Sequence, residues 1–95
     1  MFIINLTYKA ELSEIDKHLE DHISYLAKQY AAGNFLASGR KVPRTGGIIL
    51  ANVKSKSQVM EIINQDPFRV NNVSDYDITE FVPSKTCEEL KFLVE

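Results

Sequence analysis

Phe2, Ile4, Leu6 and Tyr8 alternate with Ile3, Asn5 and Thr7. A period of two with a β-branched bias predicts a strand over 2–8 with one well-buried face. From Ser13 the period changes: Ile15, Leu19, Ile23, Leu26 and Tyr30 recur at spacings of four and three. Such a stripe, at about 100° per residue, predicts an amphipathic helix. Ser13 and Asp16 have the spacing of a capping box at its start, and Gly33-Asn34 supplies its stop. Phe35 to Ser38, ending at Gly39, and Ile48 to Val53, entered through Gly46-Gly47, predict two further strands joined by a basic loop. The later of the two is apolar at successive positions, so both faces of the sheet should be covered there. Ser55 and Gln58 open a shorter helix with Val59, Ile62 and Ile63 on its apolar side, which Asp66-Pro67 interrupts. After Asn71-Asn72, the segment Val73 to Val82 predicts a fourth strand, with Tyr76, Ile78 and Val82 on one side and Phe81 on the other.

The order β-α-β-β-α-β is the ferredoxin-like pattern of the α+β class, a four-stranded antiparallel sheet with two helices on one face. The other face is left open, and Ile3, Ile49 or its neighbours, and Phe81 would form an apolar patch on it. Soluble monomers seldom leave such a patch uncovered, so the pattern predicts a homodimer through the open sheet face. The chain divides into a domain over 1–83 and a tail over 84–95, possible helix, whose Leu90, Leu93 and Val94 are available to dock on the domain's own sheet or on the partner.

Composition narrows the class without giving a function. Ninety-five residues make one core. A formal charge of -2 provides no positive field for nucleic acid. No stretch approaches the roughly 18 apolar residues of a membrane span. Cys87 is the sole cysteine, which excludes an intrachain disulfide or a CxxC pair and fits a reducing, cytoplasmic setting. Neither a nucleic-acid nor a membrane partner is expected.

Few residues are left to carry chemistry. His22 stands seven after Ile15 and four before Leu26, close to the apolar stripe, and should face the sheet or its rim. Beside a carboxylate it would serve proton transfer; hydrogen-bonded to a backbone carbonyl it would be a core residue. Asp66 is the best carboxylate, at a chain break of the kind that faces clefts. Followed by Pro67, it also reads as an N-cap with proline at N1, opening a short turn through Phe68 to Val70. The two roles are compatible. His18 and His22, four apart, with Asp66 could hold a metal, but neither HExxH nor a cysteine cluster is present and no metal site is assigned. Arg40, Lys41 and Arg44, between Gly39 and Gly46-Gly47, could receive an anion, with Ser38 adding a hydroxyl, or could form a solvated turn. The spacing is neither a P-loop nor GxGxxG.

His22 in mid-helix, Phe35-Leu36-Ala37-Ser38-Gly39 on the next strand, Gly46-Gly47, and Asp66-Pro67-Phe68 followed by Val73 together resemble the YCII-related family, over about Met1 to Val82. The resemblance implies a dimeric α/β barrel, in which the sheets of two subunits pack face to face. It implies a cleft with a His-Asp dyad, carried over to His22 and Asp66, and lined by Ser38 and Gly39. The family often has proline where this chain has Arg40, a difference that bears on the charge of the ligand. Two functions follow. One is a small cofactor-independent enzyme of lyase, isomerase or hydrolase type, with His22 as general acid or base and a small organic substrate held by Ser38, Gly39, Arg40 and Phe68. The other is a dimeric module that binds a small ligand without turning it over.

Overall fold

In the computed structural model, which describes every residue except Glu95, the chain forms β1 (Phe2–Tyr8), α1 (Leu12–Ala31), β2 (Phe35–Arg40), β3 (Gly46–Ala51), α2 (Lys56–Ile63), α3 (Pro67–Val70) and β4 (Ser74–Glu80). The strands make one antiparallel sheet in the order β2-β3-β1-β4, with both helical segments after β1 and β3 packed on one side. This is the ferredoxin-like α+β fold.

The faces follow from the register. Phe2 lies opposite Ala51, and Ile4 lies between Ile49 and Ile78. Phe2, Ile4, Ile49 and Ala51 are all buried against the helices. Ile3, paired with Leu50, and Asn5, paired with Ile48, point to the opposite, outer face. Ile49 therefore belongs to the core and not to the open face, where its neighbours Ile48 and Leu50 stand with Phe81. Consecutive apolar residues in β3 left this phase undetermined, because either parity satisfies the pattern.

Four boundaries differ from expectation, the first being strand β3, which takes in both glycines and ends at Ala51, leaving Asn52 and the buried Val53 outside it. Helix α1 starts at Leu12 with Glu11 as its N-cap and no side-chain cap. Ser13 is exposed within the first turn, and Asp16 pairs with Arg44, whose Nη2 donates to Asp16 Oδ1 at 2.6 Å. Strand β2 continues to Arg40 after a bulge at Phe35–Ala37, which returns Ser38 to the helix-facing side opposite Ile49 and Arg40 opposite Gly47. Strand β4 runs over Ser74–Glu80, so Val73 is a buried residue before it and Val82 lies beyond it, exposed.

The stripe on α1 is also rotated from its expected position. Two successive steps of four advance about 80° around a helix, whereas a step of seven returns to within about 20°. Ile15 is fully buried, Tyr25 and Gln29 are buried farther along, and Ile23 is 56% exposed. His22, seven after Ile15, thus looks inward. Helix α2 begins as its sequence requires: Ser55 Oγ accepts from Gln58 N at 3.2 Å.

The tail forms a 3₁₀ segment over Glu88–Leu93. Leu90 and Leu93 close a cavity of about 300 Å³ against Leu36, Ala37, Leu50 and Phe81 on the outer face. The cover is partial, for Ile48 and Phe81 remain 36% and 39% exposed. No helix among the described residues is long and apolar enough to cross a membrane.

Candidate functional site

The Asp66-Pro67 step builds the centre of the site. Proline has no N–H to lose and its fixed φ suits the first position of a helix, so the chain turns into α3 immediately after an extended Asp66. Asp66 Oδ1 caps the new turn by accepting from Phe68 N at 3.0 Å. Residues Pro67–Val70 hold this group against α1, and His22 Nδ1 reaches the same Oδ1 at 2.8 Å. The capping role and the histidine partnership are thus carried by one oxygen. The other, Oδ2, accepts from the Tyr76 hydroxyl at 2.6 Å.

Asp66 is 1% exposed, so its charge is sustained by these three donors and not by water. The sequence places Tyr76 on one side of the fourth strand with Ile78, and no sequence signal marks it as a partner of Asp66. It sits next to the carboxylate because β4 pairs Tyr76 with Leu6 on the helix-facing side of the sheet. Burial first, and the neighbouring Asp66 charge second, push the Tyr76 phenol far above its ordinary value, so it remains a proton donor to Oδ2 throughout the range in which proteins function. Burial and the same charge raise Tyr25, whose hydroxyl donates to Ile62 O at 2.7 Å and anchors α1 to α2.

A carboxylate can only accept, so the ring nitrogen of His22 that faces it carries hydrogen. The second nitrogen, Nε2, is left as the acceptor of the neutral ring and has no partner among the described residues. Phe68 stacks on the imidazole with 4.0 Å between centroids and 6° between planes. Phe68 on one flat side and Asp66 at one edge therefore fix both the plane and the tautomer of His22.

His22 and Phe68 border an open cavity of about 180 Å³, with Leu19, Ile23 and Leu26 of α1 as one wall and Ser38, Gly39 and Arg40 of β2 as the other. The space exists because Gly47 contributes no side chain to the helix-facing row between Arg40 and Leu6. The exposure of Ile23 has the same origin: its side chain lines a cleft instead of filling it. Ser38 Oγ and the Tyr30 hydroxyl are 2.7 Å apart, so Tyr30, expected in the buried stripe, is exposed beside the cleft.

The six residues that the sequence reading assigns to the site, His22, Asp66, Ser38, Gly39, Arg40 and Phe68, lie at or immediately behind one cavity, whereas His18, Lys41 and Arg44 are not among its lining residues. Phe68 is 1% exposed and acts on the imidazole more than on the open space. The basic trio separates: Arg44 is tied to Asp16, and Lys41 Nζ donates to Thr7 Oγ1 at 3.1 Å, which leaves Arg40 as the member that lines the cleft. Glycine is required at position 46, because a Cβ there would collide with the Leu6 backbone of the paired strand. Among the described residues no three His, Cys, Asp or Glu side chains are grouped to hold a metal ion.

The model of the YCII-related domain matches residues 1–82. The chain belongs to the YCII-related family. No curated protein matches the sequence. Among solved structures, this YCII-related chain is similar to 5-chloro-2-hydroxyhydroquinone dehydrochlorinase from Burkholderia phenoliruptrix, in complex with 2,5-dihydroxybenzoquinone. The TM-score is 0.74 at 16% identity, over 84% of this chain and 91% of the other. At that identity the likeness concerns the fold alone.

Proposed function

We propose that this YCII-related domain is a small enzyme in which His22 exchanges a proton with an organic molecule bound between α1 and β2. The observation that carries the reading is the joint placement of His22: Nδ1 is held by a buried carboxylate, and the ring borders a cavity. Asp66 fixes the tautomer that exposes Nε2 as a base and stabilises the imidazolium formed when the proton arrives. Tyr76 and the Phe68 N–H keep Asp66 in place through that change. Ser38, Gly39 and Arg40 hold the substrate, with Leu19, Ile23 and Leu26 against its apolar part.

A single base of this kind suits elimination, isomerisation or hydrolysis. The dehydrochlorinase name of the structural neighbour supports elimination among these: a base removes a proton while a leaving group departs from the adjoining atom. The domain over 1–83 acts as a homodimer through its outer face. Support comes from the exposure of the apolar Ile48 and Phe81 on that face.

The test is turnover by wild type and His22→Gln of halogenated and hydroxylated single-ring phenols, with products identified by mass spectrometry. General acid–base catalysis contributes about 10²–10⁴-fold, so the variant should lose at least about a hundredfold in rate while still binding substrate. Equal rates would leave a binding module without catalysis.

A further inference from the structure

The chemical class of the ligand can be read from what lines the cleft. Arg40 is the one charged side chain on its wall, and no Asp or Glu is among the lining residues. This is notable in a chain whose net charge is -2. The Arg40 side chain makes no ion pair or hydrogen bond among the described residues, whereas Arg44 is engaged by Asp16 and Lys41 by Thr7. A guanidinium beside an apolar cleft with no carboxylate of its own is unmatched, and planar oxyanions fit its paired N–H donors.

The neighbouring hydroxyl reinforces the same chemistry. Ser38 and Arg40 are two apart on β2 and share the helix-facing side, opposite Ile49 and Gly47. The Tyr30 hydroxyl lies 2.7 Å from Ser38 Oγ and can donate to it, which frees the serine hydrogen to point into the cleft. Size sets the other limit. The cavity is about 180 Å³, and an apolar cavity of about 150 Å³ takes a benzene ring. Leu19, Ile23, Leu26 and Phe68 supply apolar surface for such a ring.

We infer that the cleft selects a single-ring organic anion, its carboxylate or phenolate oxygen held by Arg40 and Ser38 and its ring lying between the α1 leucines and His22. The inference rests on the reading of this cleft as the substrate site and adds to it a charge and a size. It is particular to this chain, because it depends on Arg40.

Benzoate and its neutral isostere benzamide separate the charge from the shape. Each is titrated into ¹⁵N-labelled protein while the His22 ring and the Gly39 and Arg40 signals are followed. Benzoate should shift these signals and bind at least about tenfold more tightly than benzamide, as charge-assisted hydrogen bonds require. Arg40→Gln should weaken benzoate by about tenfold or more and change benzamide by less than about twofold, and Arg40→Lys should restore part of the preference. Arg40 is exposed, so neither substitution disturbs the core. Equal affinities in the wild type, or a preference unchanged in Arg40→Gln, would overturn the anion inference while the shifts at His22 preserved the cleft as a ligand site. Benzoate binding that moved no cleft signal, or the absence of binding by both compounds, would overturn the inference and the reading of the cleft together.

Discussion

Replacing Tyr76 by Phe isolates one link in the chain of contacts that holds the histidine. The ring and its position under the Arg69 guanidinium, 5.5 Å from the ring centroid, are retained, and the loss is the hydroxyl that donates to Asp66 Oδ2 at 2.6 Å. A hydrogen bond to a charged group contributes about 1.5–3 kcal/mol net, and Asp66 at 1% exposure has no water to substitute for the donor. At about 4 °C per kcal/mol for a domain of this length, the melting temperature should fall by roughly 6–12 °C. The pH dependence adds a second signature. Folding raises the Tyr76 phenol above its unfolded value near 10, so above that pH the folded chain holds a proton that the unfolded chain has lost. Stability from this group is therefore complete below pH 10 and declines as the pH rises, by up to about 1.4 kcal/mol per pH unit. Urea unfolding of both proteins followed by circular dichroism at pH 7, 9 and 11 should show a full difference at the first two values and about 1.4 kcal/mol less at the third. A variant as stable as wild type at pH 7, or a difference unaltered at pH 11, would refute the assignment of Tyr76 as the donor that secures Asp66.

Other outcomes follow from the same geometry. Asp66→Ala removes the acceptor of three donors, and a destabilisation of about 3–5 kcal/mol in urea unfolding is expected, well beyond the loss of an ordinary N-cap at about 0.5–2 kcal/mol. Gly46→Ala forces a Cβ into the Leu6 backbone and should cost about 3 kcal/mol in the same measurement, whereas Gly39→Ala, with nothing within 4 Å, should leave stability nearly unchanged. Ile48→Lys with Leu50→Lys places two charges on the outer face; light scattering should report two chains for wild type and one for the double variant, and a monomeric wild type would contradict the dimer.

The fold was legible because its signals are local and agree with one another. Alternation in Phe2 to Tyr8, the Ser55 cap and the Asp66-Pro67 step each specify one conformation, and the order of elements then leaves few topologies. The site was legible in part. His22 and Asp66 could be singled out, one by its azimuth beside Ile15 and the other by its place at a break in the chain. Their contact at 2.8 Å arises only when α3 packs against α1. What escaped the sequence depends on tertiary register. Tyr76 looks like any alternating aromatic until β4 is paired with β1, and Ile49 changes face with a shift of one residue. What separates Arg44 from Arg40 is a partner more than twenty positions away, the Asp16 carboxylate, and no spacing rule encodes it.

The central claim concerns which nitrogen of His22 bears hydrogen. Long-range ¹H–¹⁵N correlation of the imidazole, recorded for the neutral ring in wild type and in Asp66→Asn, addresses it directly. The account predicts hydrogen on Nδ1 and a bare Nε2 in the wild type, with that preference lost or reversed in the variant. Hydrogen on Nε2 in the wild type, or a tautomer indifferent to Asp66, would contradict it.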